Sequence, residues 1–178
     1  MRFFVFAVAL SACWTGTPPP EQPVSAPAPR EAPKLTIKLR RTACLGTCPT
    51  FLVVVHGDGR IEWDGRENVA AIGFRKRHVQ TRAIDQLDRM LAKVQFFERN
   101  ESGELPMPPD CTTVGTTKSC SFESSFTICS DTSRSIITVA RDGATHTVTN
   151  DHCGERTPLD DLEDLIDHVA QLDEWIGR

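Results

Sequence analysis

Apolar and polar positions change their period several times along the chain, and those changes predict its elements. Leu35, Ile37 and Leu39 alternate with polar residues, the two-residue period of a half-buried strand. Phe51-Leu52-Val53-Val54-Val55 is apolar on both faces and rich in β-branched residues, as an interior strand is. Asp58-Gly59 separates that run from Ile61-Glu62-Trp63 and is the strongest short hairpin signal in the chain. Asn68 to Phe74 predicts a further strand, with Gly73 marking a bulge or its end. From about Thr81 to Phe97 the period lengthens. Ile84, Leu87, Leu91 and Val94 recur at helical spacing, Thr81 is placed to cap the helix, and Asp85, Arg89 and Lys93 run along the opposite face. Residues 98–121 are polar and Pro-rich and read as a long loop or insertion.

The second half again carries hairpin and helix signals, with no internal repeat. Ile136-Ile137-Thr138-Val139 and His146-Thr147-Val148 flank Asp142-Gly143, a second hairpin. A final helix opens with Thr157 as N-cap, Pro158 at the first helical position, and Asp160 and Asp161 favoured by the helix dipole. Leu159, Leu162, Leu165, Ile166, Val169 and Leu172 form its buried stripe. Asp160, Asp161, Glu163, Asp164, Asp167, Asp173 and Glu174 are expected on its solvent side. Local hairpins with two amphipathic helices predict an α+β fold: one antiparallel sheet with both helices packed on one face.

The first 33 residues have a different character. Arg2 precedes the apolar run Phe3 to Leu10, which is far shorter than the roughly 20 residues a membrane span needs. Leu10-Ser11-Ala12-Cys13 follows and reads as a bacterial lipobox. The expectation is a lipoprotein signal peptide over residues 1–12, with Cys13 carrying the lipid, palmitate included. Residues 14–33 hold seven of the twelve prolines and bury too little apolar surface to fold. They read, with Cys13, as a flexible tether at 13–33, leaving one globular domain at 34–178. Trp14 stands where an Asp would signal inner-membrane retention, which favours the outer membrane.

Composition narrows the function classes. The net charge is −4, and the only basic clusters are Arg40-Arg41 and Arg75-Lys76-Arg77-His78, the second read as a solvated loop. Without interleaved aromatics they make no nucleic-acid surface. Of seven cysteines, lipidation of Cys13 leaves Cys44, Cys48, Cys111, Cys120, Cys129 and Cys153, an even set fit for up to three disulfides in an oxidising compartment.

Cys44-Leu45-Gly46-Thr47-Cys48-Pro49, followed by a strand and Gly57-Asp58-Gly59, resembles a small bacterial envelope domain family of unknown function with a Cys-x-Gly-x-Cys-Pro signature. The similarity continues through Val94-Gln95-Phe96-Phe97, the hairpin at Gly143, Leu162 to Asp167 and Glu174-Trp175-Ile176-Gly177. It covers roughly residues 35–177, interrupted by a Cys-bearing insertion at about 101–128. The resemblance implies a fold type and an envelope location and carries over no catalytic residue.

Four constellations bear on chemistry. Cys44 and Cys48 suit a structural disulfide best, because Pro49 and a strand follow them rather than a thiolate-stabilising helix. Closing so short a loop contributes about 2 kcal/mol, and Gly46 is expected to supply a positive φ within it. Extending the second hairpin's register places Cys153 opposite about Thr132, within reach of Cys129. Cys111 then pairs with Cys120 by default, although four cysteines allow three connectivities. Asp151-His152-Cys153 resembles a thiol triad, but sequence neighbours rarely face one another. His146 and His152 with Asp151 lack zinc-ligand spacing, so no metal site is expected. No cofactor or catalytic motif is present. The sequence therefore favours a monomeric, non-enzymatic module, joined to the membrane by its lipid and engaging an envelope protein partner. The rival readings are a thiol–disulfide redox protein using Cys44 and Cys48 and a periplasmic metal binder.

Overall fold

A computed structural model describes residues 35–106, 110–114, 116–121 and 132–178. Among these residues eight strands form in chain order: β1 (Leu35–Arg41), β2 (Thr50–His56), β3 (Arg60–Glu67), β4 (Gly73–His78), β5 (Asp110–Val114), β6 (Thr117–Ser121), β7 (Ser135–Arg141) and β8 (Ala144–Asn150). Helix α1 (Thr81–Lys93) follows β4, and α2 (Pro158–Ala170) and the one-turn α3 (Asp173–Ile176) follow β8. Six strands make one antiparallel sheet in the order β4-β3-β2-β1-β7-β8, while β5 and β6 form a separate hairpin. The α+β architecture expected from the hydrophobic pattern is the one observed.

One face of the sheet is buried, and the residues of the other are half-buried or exposed. Leu35, Ile37 and Leu39 of β1, Phe51, Val53 and Val55 of β2, and Ile137 and Val139 of β7 join one core with Ile84, Leu87 and Leu91 of α1 and Leu162 and Ile166 of α2. The intervening residues, among them Lys38, Arg40, Val54, Glu62 and Thr138, lie on the far face, as strand geometry requires. Trp63 is the centre of packing at the β3 end. It is fully buried, stacks on Phe51 with centroids 4.5 Å apart, and donates its indole N–H to the Ala71 carbonyl at 2.8 Å. Gly65 lets the chain close over it, since a Cβ there would stand 2.0 Å from that same carbonyl.

The structure corrects five local expectations. The fourth strand begins at Gly73 rather than Asn68, and it runs straight through the basic cluster read as a loop. The Trp63–Ala71 bond and the bonds from the Ala70 and Ala71 N–H groups to α3 carbonyls hold 68–72 out of the ladder. Gln80, not Thr81, is the N-cap of α1, and the helix stops at Lys93 because Gln95 turns left-handed (φ 52°). Residues 110–121 pair as a hairpin rather than forming a loop throughout.

Candidate functional site: a buried ionic cluster at the β1–β7–β8 end of the sheet

Helix α2 places Asp160, Glu163 and Asp167 three and four residues apart, hence on one side. The sequence reading put these carboxylates in solvent. In the structure Glu163 is 1% exposed and Asp167 5%, and Asp160 is half-buried. They turn toward the sheet because cations wait there: Arg41 at the end of β1, His152 just after β8, and Arg178 beyond α3.

Each carboxylate has a distinct environment. Asp160 closes a capping box, its Oδ2 accepting the Thr157 N–H at 2.6 Å and the Thr157 hydroxyl at 2.9 Å. Its Oδ1 faces His152 Nδ1 at 2.9 Å and accepts the Asn150 amide at 3.1 Å. Burial pushes the Asp160 carboxyl up, but the Thr157, His152 and Asn150 donors outweigh it and hold the group below its ordinary value. Glu163 accepts the Ser135 hydroxyl at 2.6 Å and the Asn150 amide at 2.8 Å, with Arg41 at 3.5 Å. Asp167 pairs with Arg41 at 3.1 Å and Arg178 at 3.5 Å, yet burial prevails and raises its carboxyl.

His152 sits at the crossing point. Bonding to Glu163 is the largest influence on its imidazole and raises its pKa, with Asp160 adding to it against the opposing effect of burial. With His152 protonated, three carboxylates face three cations. The His152 backbone is left-handed (φ 51°), a conformation uncommon outside glycine.

Ser135 Oγ lies 2.9 Å from His152 Nε2, and His152 Nδ1 lies 2.9 Å from Asp160, the spacings of a Ser-His-Asp triad. The proton arrangement is reversed, however. A hydroxyl has one proton, and Ser135 gives it to Glu163, so Ser135 accepts from His152 and the imidazole donates from both nitrogens. Ser135 is also fully buried. A base that already carries its proton cannot activate a serine that substrate cannot reach.

His152, Asp160 and Glu163 also offer donor atoms within 4.8 Å of one another. Those atoms are already engaged by Thr157, Asn150, Ser135 and the imidazole N–H groups, and the Arg41 guanidinium stands beside them. The group is an internally compensated ion network and a poor fit for a cation. Above it lies a cleft of about 240 Å³ lined by Arg41, Pro49, His152, Arg156, Glu163 and Arg178, among others.

Pro49 directly follows the loop closed by Cys44 and Cys48, which are disulfide-bonded. Leu45 at its tip is 83% exposed. Gly46 does not take the positive φ expected of it; its N–H instead turns to Cys44 Sγ at 3.2 Å. Cys153 is also disulfide-bonded, and the backbone register sets Cys111 directly opposite Cys120. Cys13 and Cys129 lie outside the described residues. The other two constellations are not assembled. His146 packs edge-on against Phe96 and bonds the Arg99 carbonyl, while Asp151 pairs with Arg134. The true partners of His152, namely Ser135, Asp160 and Glu163, escaped the sequence reading. One signal was available: Glu163 lies among Leu159, Leu162 and Ile166 on a helical projection, inside the apolar stripe.

The family model of DUF6438, a domain of unknown function, matches residues 35–170. The chain belongs to the DUF6438 family. The match starts on the first residue of β1 and ends on the last of α2, so the six-stranded sheet, both long helices and every member of the cluster but Arg178 fall within the DUF6438 domain. Comparison with curated proteins gives no match.

Proposed function

We propose that this DUF6438 domain is a non-catalytic binding module, displayed at the bacterial envelope on the 13–33 tether and anchored by lipid on Cys13. The observation carrying the non-catalytic reading is the direction of the Ser135 hydroxyl bond, which leaves the triad-like arrangement found among the described residues with a protonated base and a sealed nucleophile. The bridged 44–48 loop supports the binding reading, since loops held by a rigid scaffold commonly carry recognition. Lipid anchoring rests on the lipobox and the Pro-rich segment alone.

The test is peptide mass mapping of protein purified from the envelope, alkylated before and after reduction. Acylated Cys13 with a Cys44–Cys48 bridge that resists mild reductant is the expected result. A peptide beginning at unprocessed Met1 would remove the anchoring. A pair that reduces readily would move the redox reading forward, which the half-exposed cysteines and the Gly46 N–H directed at Cys44 Sγ favour as the second choice.

A further inference from the structure

Strand β4 ends the sheet, and among the described residues no strand pairs with its outer side. Its backbone orientation follows from one bond. Val79 N–H donates to the Gly59 carbonyl at 2.9 Å, toward β3. Because backbone polar groups alternate sides along an antiparallel strand, Arg75 and Arg77 also face β3, while Phe74, Lys76 and His78 direct N–H and C=O outward. The Arg75 side chain confirms the direction: its guanidinium folds back to donate to the Phe74 carbonyl at 2.8 Å, filling the place a neighbouring strand's N–H would take.

The side chains along this edge are specific in kind. Gly73-Phe74-Arg75-Lys76-Arg77-His78 has four basic residues and no acid. Arg77 is committed to α3, its guanidinium 3.8 Å over the Trp175 ring and paired with Glu174, and Lys76 reaches Glu62 at 3.3 Å. Arg75, held among the described residues by the exposed contact to its own strand, is the cation offered to a partner. Phe74, 59% exposed, and Ile72, 56% exposed, supply apolar surface beside it.

We propose that β4 takes up an acidic, extended segment of a partner protein as a seventh strand of the sheet. The incoming backbone donates to the Phe74 carbonyl and releases the Arg75 guanidinium, which then pairs with a carboxylate on the same side of the new strand. An apolar residue of that segment, on the opposite side, covers Phe74. The segment it selects therefore alternates acidic and apolar side chains. A second copy of β4 does not qualify, because basic side chains would meet across the pair. The inference rests on the binding-module reading and names its partner class. Peptide binding is measured apart from membrane anchoring, so either can fail alone.

The experiment uses the full chain and a fluorescein-labelled peptide as long as β4 that alternates Glu and Val, followed by fluorescence anisotropy. The same peptide with Lys for Glu, and one N-methylated on the amides facing β4, serve as controls. Binding of the acidic peptide is expected to fall at least about tenfold on N-methylation and in Arg75→Glu, and Arg75→Glu is expected to gain affinity for the Lys peptide. Lys76→Pro removes an outward N–H while leaving the β3 ladder intact, and it too is expected to abolish binding. Equal binding of the N-methylated or the Lys peptide, undiminished binding by Lys76→Pro, or self-association of the chain through β4 in sedimentation would each overturn the proposal.

Discussion

Replacing Glu163 by Gln tests the ionic cluster most directly. The substitution preserves shape and removes one charge from a site 1% exposed, where Ser135 and Asn150 donate at 2.6 and 2.8 Å. An amide in place of the carboxylate sets an N–H₂ against one of those donors and leaves the Arg41 and His152 charges less compensated. Removing one partner of a buried pair costs about 3–5 kcal/mol. Arg41 keeps Asp167 and His152 keeps Asp160, so about 2–4 kcal/mol is expected here, a large share of the total for a domain of this size.

The pH dependence supplies a second readout. His152 binds its proton more tightly folded than unfolded, chiefly through Glu163. Its contribution is complete below the unfolded value of 6.5 and is lost as pH rises through the folded value. Wild-type stability should therefore fall as pH rises from 6.5 to the folded value, with a slope of at most about 1.4 kcal/mol per pH unit for a single proton. In Glu163→Gln the slope should shrink and the window should move down toward 6.5. Urea unfolding at intact disulfides, followed through the buried Trp63 and Trp175, measures both effects. An unchanged midpoint in Glu163→Gln, or wild-type stability that stays flat or rises across that window, would refute the reasoning.

Four further substitutions probe this cluster and other features of the fold. Asp167→Asn should behave unlike Glu163→Gln. Burial holds the Asp167 folded value above 3.8, so its contribution is present below 3.8 and lost as pH rises, and its charge is a cost at neutral pH. Urea unfolding at pH 7 should show a change within about 1 kcal/mol or a gain, and a loss as large as that of Glu163→Gln would contradict this. Gly65→Ala should cost about 2–4 kcal/mol by forcing Trp63 and Ala71 apart, whereas Gly143→Ala, with open space and φ of 88°, should lose only about 1 kcal/mol in thermal melts. Thr157→Ala should lose about 1 kcal/mol with the capping box, read by the same melts.

Much of the fold was legible along the chain because its signals are local. Period-two alternation marked β1, Asp58-Gly59 and Asp142-Gly143 marked both hairpins, and the register at Arg141 and Ala144 came out as the two-residue turn implies. Thr157, Pro158 and Asp160 marked the start of α2 for reasons contained within one turn. The β4 strand was misplaced because its stability comes from pairing with β3, and a run of basic residues has no strand propensity of its own to announce it.

The candidate site lies at the other extreme. Ser135, His152 and Glu163 come from β7, the segment after β8, and α2, and no local spacing relates them. Outside β4 and the β5–β6 hairpin, the sequence by itself determined the element types, the two turns, the apolar stripes and the cysteine set, since each depends on periodicity or on short-range backbone chemistry. Tertiary structure alone decided which charges meet, that a histidine beside a cysteine serves two distant carboxylates, and that Arg41 pairs with Glu163 and Asp167 of α2. A charge enters the interior only where opposite charges and hydrogen-bond donors converge on it, and that convergence is a property of packed elements and not of their order along the chain.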